Sequence, residues 1–443
     1  MGHTPPHAGA PTEDGQGEPT AVIAAAAAAA LQRKQSKRRK KKKKRRRRAP
    51  TEEEVAARRF VLRWACPGRE AVGDDEEVEG MAGRRRPRVA VELHAHSAHS
   101  DGSLSPAELV QRAHRNGVKI LALTDHDTMA GVPEAMEAAK EYPIRIIPGV
   151  EISAVYSHSD EAGTEEPVHI LAYYGSWGPA RPQELERFLA RIRDGRYARA
   201  NEMLLKLRGL DMPMELKDVC KIAGNGVAPG RMHVARAMVE AGYVDNIRQA
   251  FSRYLYDGGP AYATGSEPTG ESAVQLVRRT GGVAVLAHPW ALKNPAAVIK
   301  DLKAAGLHAI EVYRSDGKVS GLSDLADTYK ILKLGGSDFH GRDEKEEPDV
   351  GSVDLPVLDV LKFLEAAQPI WRNAIKEIFA SIAERTTDLN GLKRFRRTSS
   401  AKDFCIMHIS SPELEVTDAT EIEVLLTEVA GIVLCNREQQ ATH

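Results

Sequence analysis

Cysteine, aromatic residues and long apolar runs are all scarce in this chain, and each shortage closes off a class of function. The four cysteines among 443 residues, Cys66, Cys220, Cys405 and Cys435, stand far apart with no Cys-x-x-Cys pair. That excludes a disulfide framework and a thiolate zinc module, and it suits a reducing compartment. The apolar run at 21–31, with seven consecutive alanines, is too short to span a bilayer. Positive charge follows it, where a secretory signal would place charge first, so no membrane association is expected. A P-loop, a dinucleotide-binding glycine motif and a persuasive Ser-His-Asp arrangement are also missing, which removes the chemistries that those motifs carry. Charge is plentiful but unevenly placed. Lys+Arg and Asp+Glu each total 62, yet residues 33–48 hold 14 basic residues and no acidic one, leaving 48 basic against 62 acidic elsewhere, a net of −14.

What is present divides into an arm and a body. Residues 1–20 are rich in Pro, Gly, Thr and Glu, and twelve consecutive bases run from Lys37 to Arg48, so 1–87 reads as a disordered, basic, low-complexity arm. The bases are a candidate nuclear signal or a non-specific nucleic-acid contact, and an intracellular protein, nuclear or cytoplasmic, is expected. From Arg88, short β-rich runs alternate with helical patterns, the texture of β/α units around a parallel sheet. Strands are expected at 89–93, 120–123, 144–147, 168–174, 283–287, 309–312 and 331–334. Between 179 and 260 the strands stop, and four helical segments at 181–207, 215–223, 231–241 and 246–255 read as an inserted subdomain. The body then occupies 88–178 and 261–375, closed by a helix at 357–366, and 385–443 is an extension of unassigned structure. A monomer is expected.

The strand ends carry the chemistry. His94 and His96 follow the first strand at i, i+2, a spacing that projects both onto one face, and Asp101 follows in a Ser-Asp-Gly turn. His126 follows the second strand, Glu151 the third, His288 the fifth, and Asp338 and His340 the last, while His169 lies on the fourth. In parallel β/α architectures the carboxyl ends of the strands gather on one rim, so these residues are expected to converge. Each alone has an ordinary explanation: His288 before Pro289 as a turn residue, Glu151 as a salt-bridge partner. Jointly those explanations require the same accident at every strand end. Nine oxygen and nitrogen donors exceed the needs of one ion, which implies two or three divalent ions, manganese foremost, with iron or zinc compatible. Glu151 is placed to bridge two of them. His99, His114, His158 and His308 are left over as surface or structural residues.

The motifs His94-Ala95-His96 with Ser100-Asp101-Gly102, Thr124-Asp125-His126-Asp127, Pro148-Gly149-Val150-Glu151, Val168-His169-Ile170-Leu171, Ala287-His288-Pro289 and Gly336-Ser337-Asp338-Phe339-His340 occur in order over roughly 88–375. Together they resemble the PHP (polymerase and histidinol phosphatase) superfamily, in particular its branch of 3′,5′-nucleoside bisphosphate phosphatases and 5′-3′ exoribonucleases. The resemblance implies a distorted (β/α)7 TIM-like barrel with a trinuclear site. His94, His96, Glu151 and Asp338 would hold the first ion, Glu151, His169 and His288 the second, and Asp101, His126 and His340 the third. It also implies that the helical insertion caps the barrel mouth and contributes substrate contacts. There Arg231 is a candidate phosphate ligand and His233 a candidate proton donor to the leaving oxygen. Arg314 and Lys318 are further phosphate candidates. The basic arm and the segment after 385 depart from the bacterial pattern.

The expected function is metal-dependent phosphoester hydrolysis of a nucleotide or the 5′ end of short RNA by metal-activated hydroxide, with Glu151 and Asp338 central. Two alternatives stand beside it. An amidohydrolase-type barrel also opens with His-x-His, but it often uses a mid-barrel lysine as bridge, and no lysine stands at the corresponding strand ends. A nucleic-acid-associated scaffold whose barrel only binds metal would depend on the basic run.

Overall fold

The computed structural model describes residues 50–66, 89–157, 165–224, 226–317, 321–342 and 347–388. The basic run at 37–48, Lys318, His158 and the extension beyond 388 lie outside the described residues. The chain divides into two compact units; Met1–Glu52 with Gly73–Pro87 contributes only residues 50–52 to the description, and the architecture that follows is the other unit's.

Seven strands stand in sequence order across one sheet: β1 (Ala90–Glu92), β2 (Val118–Leu123), β3 (Arg145–Ser157), β4 (Glu165–Tyr173), β5 (Val283–Leu286), β6 (Ala309–Tyr313) and β7 (Leu332–Gly335). β1–β2–β3 and β5–β6–β7 pair in parallel. The segments after β1 and β7 meet in a parallel bridge, Ala95 to Phe339, with His96 N–H donating to Phe339 O at 2.8 Å and Asp338 N–H to His94 O at 3.0 Å. That bridge closes the arc into a distorted (β/α)7 barrel. The strand cores, such as β5, are buried at every position, as required where side chains fill the interior and helices cover the outside.

Two departures from the parallel expectation shape the site. β3 pairs antiparallel with β4, and β4 antiparallel with β5. Only residues 158–164 separate β3 from β4, too few for the crossover that parallel pairing demands. β3 is also 13 residues long, not the short strand expected at 144–147. Pairing with β4 continues from Gly149 to Ser157, so Glu151 lies within a strand and not beyond its end.

A helix, α1 (Glu52–Ala65), stands in the stretch read from sequence as arm. Its buried stripe, Ala57, Val61 and Ala65 at i, i+4, i+8, is small and diluted by arginines, which hid it; the Thr51-x-x-Glu54 pattern was the available capping signal. α2 (Pro106–Arg115) has the expected start, with a Ser105–Glu108 capping box and Pro106 at the first position. α3 is Val132–Ala138. The insertion comprises α4 (Pro182–Arg208), α5 (Leu216–Ala223), α6 (Arg231–Glu240) and α7 (Ile247–Ala250), the last running into a π-turn. It has its own core of Leu207, Val219, Val234, Met238 and Leu255. The first half of α4 instead packs Leu185, Leu189 and Ile192 on the barrel, so one helix serves both cores. α8 (Gly270–Arg279), α9 (Pro295–Ala305) and α10 (Leu322–Tyr329) complete the outer layer.

The closing helix, α11 (Val357–Asp388), runs far past the expected end at 366 and through Pro369. Proline removes one hydrogen bond, but the apolar stripe of Phe363, Ala367, Trp371 and Ala374 continues and is buried. Trp371 also donates its indole N–H to Tyr173 O at 3.0 Å. One apolar cluster joins Val61 and Ala65 of α1 and Phe363, Leu364 and Trp371 of α11 to inward residues of all seven strands, among them Val91, Ile120, Ile147, Tyr173, Val285, Ala309 and Leu334. No described helix is long and apolar enough to cross a membrane.

Candidate metal centre

The barrel closure places His94 and His96 at the bottom of the rim, both fully buried. Their strand approaches its neighbour so closely that a Cβ on Gly336 would lie 2.5 Å from His94 Cβ. Asp125 shapes the loop that follows: Oδ1 accepts from Ser97 N–H and Ser100 Oγ–H, each at 2.7 Å, and Oδ2 accepts from Ser97 Oγ–H at 2.6 Å. Gly102 ends that turn against His96 O, 2.6 Å from where a Cβ would stand, so only glycine lets Asp101 fold back. His288 and Asp338 hold left-handed backbone, φ 29° and 55°, as does Asp127 at 54°. Such strain in non-glycine residues collects at functional sites.

Glu151 is the hub. Its Oε2 lies 3.2 Å from His94 Nε2, 3.1 Å from His96 Nε2 and 3.2 Å from His126 Nδ1. Its Oε1 lies 2.9 Å from His169 Nδ1 and 3.1 Å from His288 Nε2. Asp338 Oδ1 is 3.3 Å from both His94 and His96 Nε2, and Asp101 Oδ1 is 3.3 Å from His340 Nε2. All nine residues expected from the strand pattern therefore meet in one cluster.

The contacts are close, yet many are not hydrogen bonds. His94 Nε2, both ring nitrogens of His96, His126 Nδ1, Asp101 Oδ1 and Glu151 Oε2 are buried without a hydrogen-bond partner. Buried polar atoms left so are costly, and these six, from the segments after β1 and β2 and from β3, are what bound cations would satisfy. The donors fit divalent metal ions. Three sets have ligand atoms within 4.8 Å of one another: His94, His96, Glu151 and Asp338; His126, Glu151 and His169; and His96, Asp101, His126 and His340. The first matches the set that the resemblance implies. The second has His126 where His288 was expected, although His288 touches the same Glu151 carboxylate, and the third adds His96.

Burial would lower His94, His96, His288 and His340, but the surrounding carboxylates hold all four above the ordinary imidazole value, so a bound cation would displace protons from them. Burial would raise the Glu151 carboxyl, but His126, His94 and His169 around it hold it well below the usual carboxylate range. Asp101 and Asp338 are likewise depressed against burial, by His340 and His126 for Asp101 and by His94 and His96 for Asp338. Burial itself drives His126 well down, leaving it neutral.

The cap candidates lie outside these three sets. His233 is buried and its Nδ1 accepts the Gly230 N–H at 3.0 Å; burial pushes its pKa down to about 4. Arg231 forms an ion pair with Asp257 and stacks over the rings of Tyr262 and Phe251 at 5.4 and 6.0 Å, so its guanidinium is committed within the cap. Arg314 stacks on Trp290 at 4.5 Å. Several residues that shape the site escaped the sequence reading. Arg196 of α4 reaches Asp127 Oδ2 at 2.6 Å and Ser153 Oγ at 2.7 Å, tying the cap to the rim, and Arg342 pairs with Asp101. Glu92 and Glu311 are buried carboxylates in otherwise apolar strands, a signal legible in Val91-Glu92-Leu93 and Ile310-Glu311-Val312.

Comparison with known proteins points to one family. A model of the PHP domain matches residues 92–260. The chain is 33% identical over 290 residues to the 3′,5′-nucleoside bisphosphate phosphatase of Chromobacterium violaceum, covering 64% of this chain and 95% of that protein. It is 35% identical over 260 residues to the 5′-3′ exoribonuclease of Haemophilus influenzae, covering 56% of this chain and 89% of the relative. A solved structure from Bifidobacterium adolescentis, described as a metal-dependent phosphoesterase, superposes with a TM-score of 0.54 at 28% identity over 63% of this chain and 96% of that one. The chain belongs to the PHP family.

Proposed function

We propose that this protein is a metal-dependent phosphoesterase that hydrolyses a phosphate ester of a nucleotide, a 3′,5′-bisphosphate, or the 5′ end of short RNA. The observation that carries the reading is the Glu151 carboxylate, within 3.2 Å of five imidazole nitrogens from four chain segments, several of them without hydrogen bonds. Names of relatives in the same family support the substrate class. His94, His96, Glu151 and Asp338 would hold one ion, Glu151, His126 and His169 with His288 a second, and Asp101, His126, His96 and His340 a third. Two or three divalent ions held there, manganese foremost, would supply polarisation of the phosphoryl oxygens and activation of water.

The chain's own residues prepare the rest. Burial of His94, His96 and Glu151 at the floor of the cluster strengthens the interactions among them. Because Gly230 N–H donates to His233 Nδ1, the proton of the neutral ring sits on Nε2. His233 then donates a hydrogen bond to the leaving oxygen; an imidazolium is not available near neutral pH with a pKa of about 4. Arg231 is paired with Asp257, and Arg314 on its Trp290 face with Asp316 at 3.5 Å, so each reaches a phosphate only by leaving its carboxylate. The bases from Lys37 to Arg48 would hold a polynucleotide non-specifically or address the protein to the nucleus.

The test is Asp338→Asn, assayed for phosphate release from 3′,5′-bisphosphates, 5′-phosphorylated oligonucleotides and histidinol phosphate, with amide and ester substrates beside them. Hydrolysis of a nucleotide ester should vanish while the fold is kept. Full activity in the variant, or turnover of amides alone, sinks the reading.

A further inference from the structure

Beneath the nine candidate ligands lies a carboxylate that belongs to none of the three sets. Glu311 stands mid-strand on β6 and is 1% exposed. Its Oε1 is 3.1 Å from His94 Nδ1, and its Oε2 accepts the backbone N–H of His288 at 2.7 Å. A single side chain on β6 thus grips a residue after β1 and another after β5. His94 Nε2, on the far side of the ring, faces Glu151 Oε2 at 3.2 Å and Asp338 Oδ1 at 3.3 Å without a hydrogen bond.

We propose that Glu311 is a positioning residue that fixes the Nδ1–H tautomer of His94, so that Nε2 presents its lone pair as a metal donor, and that pins the left-handed backbone of His288. The inference rests on the reading of the cluster as a metal centre. With the Nδ1 proton held by Glu311, a lone pair meets two carboxylate oxygens, an arrangement that a cation between them stabilises. A carboxylate suits the post because both its oxygens accept. A glutamine of the same shape has one acceptor, so its amide N–H would confront either His94 Nδ1–H or His288 N–H. Outer partners of this kind orient ligating histidines and raise their basicity.

The experiment is Glu311→Gln in the full chain, with Glu166→Gln as control, a buried carboxylate that accepts Lys293 N–H at 2.7 Å away from the cluster. Metal-stripped proteins are titrated calorimetrically with Mn2+ and with Zn2+, and melted stripped and loaded. Metal affinity should fall about 10–100-fold in Glu311→Gln and stay unchanged in the control. The gap between loaded and stripped Tm should shrink while the stripped proteins melt together. Unchanged affinity, or stripped and loaded forms falling in parallel with affinity kept, overturns the proposal. Should Glu311→Gln not fold, 15N-histidine spectra of the Zn2+-loaded wild type decide: a proton on Nδ1 of His94, assigned by its loss in His94→Gln, is expected, and a proton on Nε2 overturns it. Wild type that takes up no metal removes the metal-centre reading itself, an outcome distinct from a wild type that binds and a variant that binds equally.

Discussion

The two ends of the barrel strands are built on opposite terms. At the interior cluster, α1 and α11 bring Val61, Phe363 and Trp371 against Val91, Tyr173 and Val285, all buried and apolar, in contacts that stabilise by about 1.5–3 kcal/mol per large side chain. At the rim, the same strands deliver buried carboxylates and imidazoles that lack hydrogen bonds, on backbone that is left-handed at Asp127, His288 and Asp338. Each such backbone residue costs about 1–3 kcal/mol. One end therefore accumulates stability and the other spends it on a geometry that only a ligand completes. Mutations at the two ends should separate stability from activity.

The largest effect belongs to the rim. Glu151→Gln keeps the shape of the side chain but takes the charge from the hub, and kcat/KM for phosphate release should fall at least about 1,000-fold, or about 4 kcal/mol. Its metal-stripped form should melt within a few degrees of wild type; a collapse of the stripped fold would mean that the hub is structural. The interior should answer in the reverse sense. Trp371→Ala removes a ring that is 6% exposed, stacks on Trp64 and donates to Tyr173 O, and should cost about 3–5 kcal/mol in chemical denaturation. Activity per folded molecule should hold, and a variant that loses activity without stability would break the division. Chelation tests the rim without mutation: at metal 100-fold above Kd, stripping should remove about 3 kcal/mol, roughly 5–10 °C in Tm.

The rim was the legible end. Ligand identities at strand ends are local in sequence, and the repetition of histidine after successive apolar runs made convergence readable before any contact was known. Glu151 was found as a residue, but its place inside a long strand was not, because antiparallel pairing of β3 with β4 is a tertiary fact that the short run Ile144-Arg145-Ile146-Ile147 does not announce. The interior was harder. The stripe of α1 is alanine and valine among arginines, and Pro369 marks a helix end by local rule although Trp371 and Ala374 bury beyond it. Arg196 was illegible for another reason: an arginine on a long charged helix looks solvated until the fold brings Asp127 and Ser153 under it.

Histidines at the two ends carry the division into acid, with the smallest effect. His340 at the rim is pushed up to about 10, since Asp101 and Glu347 outweigh burial, whereas His308, which precedes β6 at the opposite end, is lowered to about 4 by burial and by Arg278 and Lys303. The ring of His308 accepts Ala284 N–H at Nδ1 at 3.0 Å, a bond to the neutral form. Between pH 6.5 and 4 the unfolded chain binds a proton at His308 that the folded chain refuses, so its contribution is complete above pH 6.5 and is lost as pH falls. His308→Asn retains an acceptor near the Nδ1 position and cannot titrate. Relative to wild type, it should gain stability from pH 7 to pH 5 by at most roughly 2 kcal/mol. Denaturation of metal-stripped protein at the two pH values measures this, and a difference that stays constant, or that moves the other way, would show that acid sensitivity resides at the rim alone.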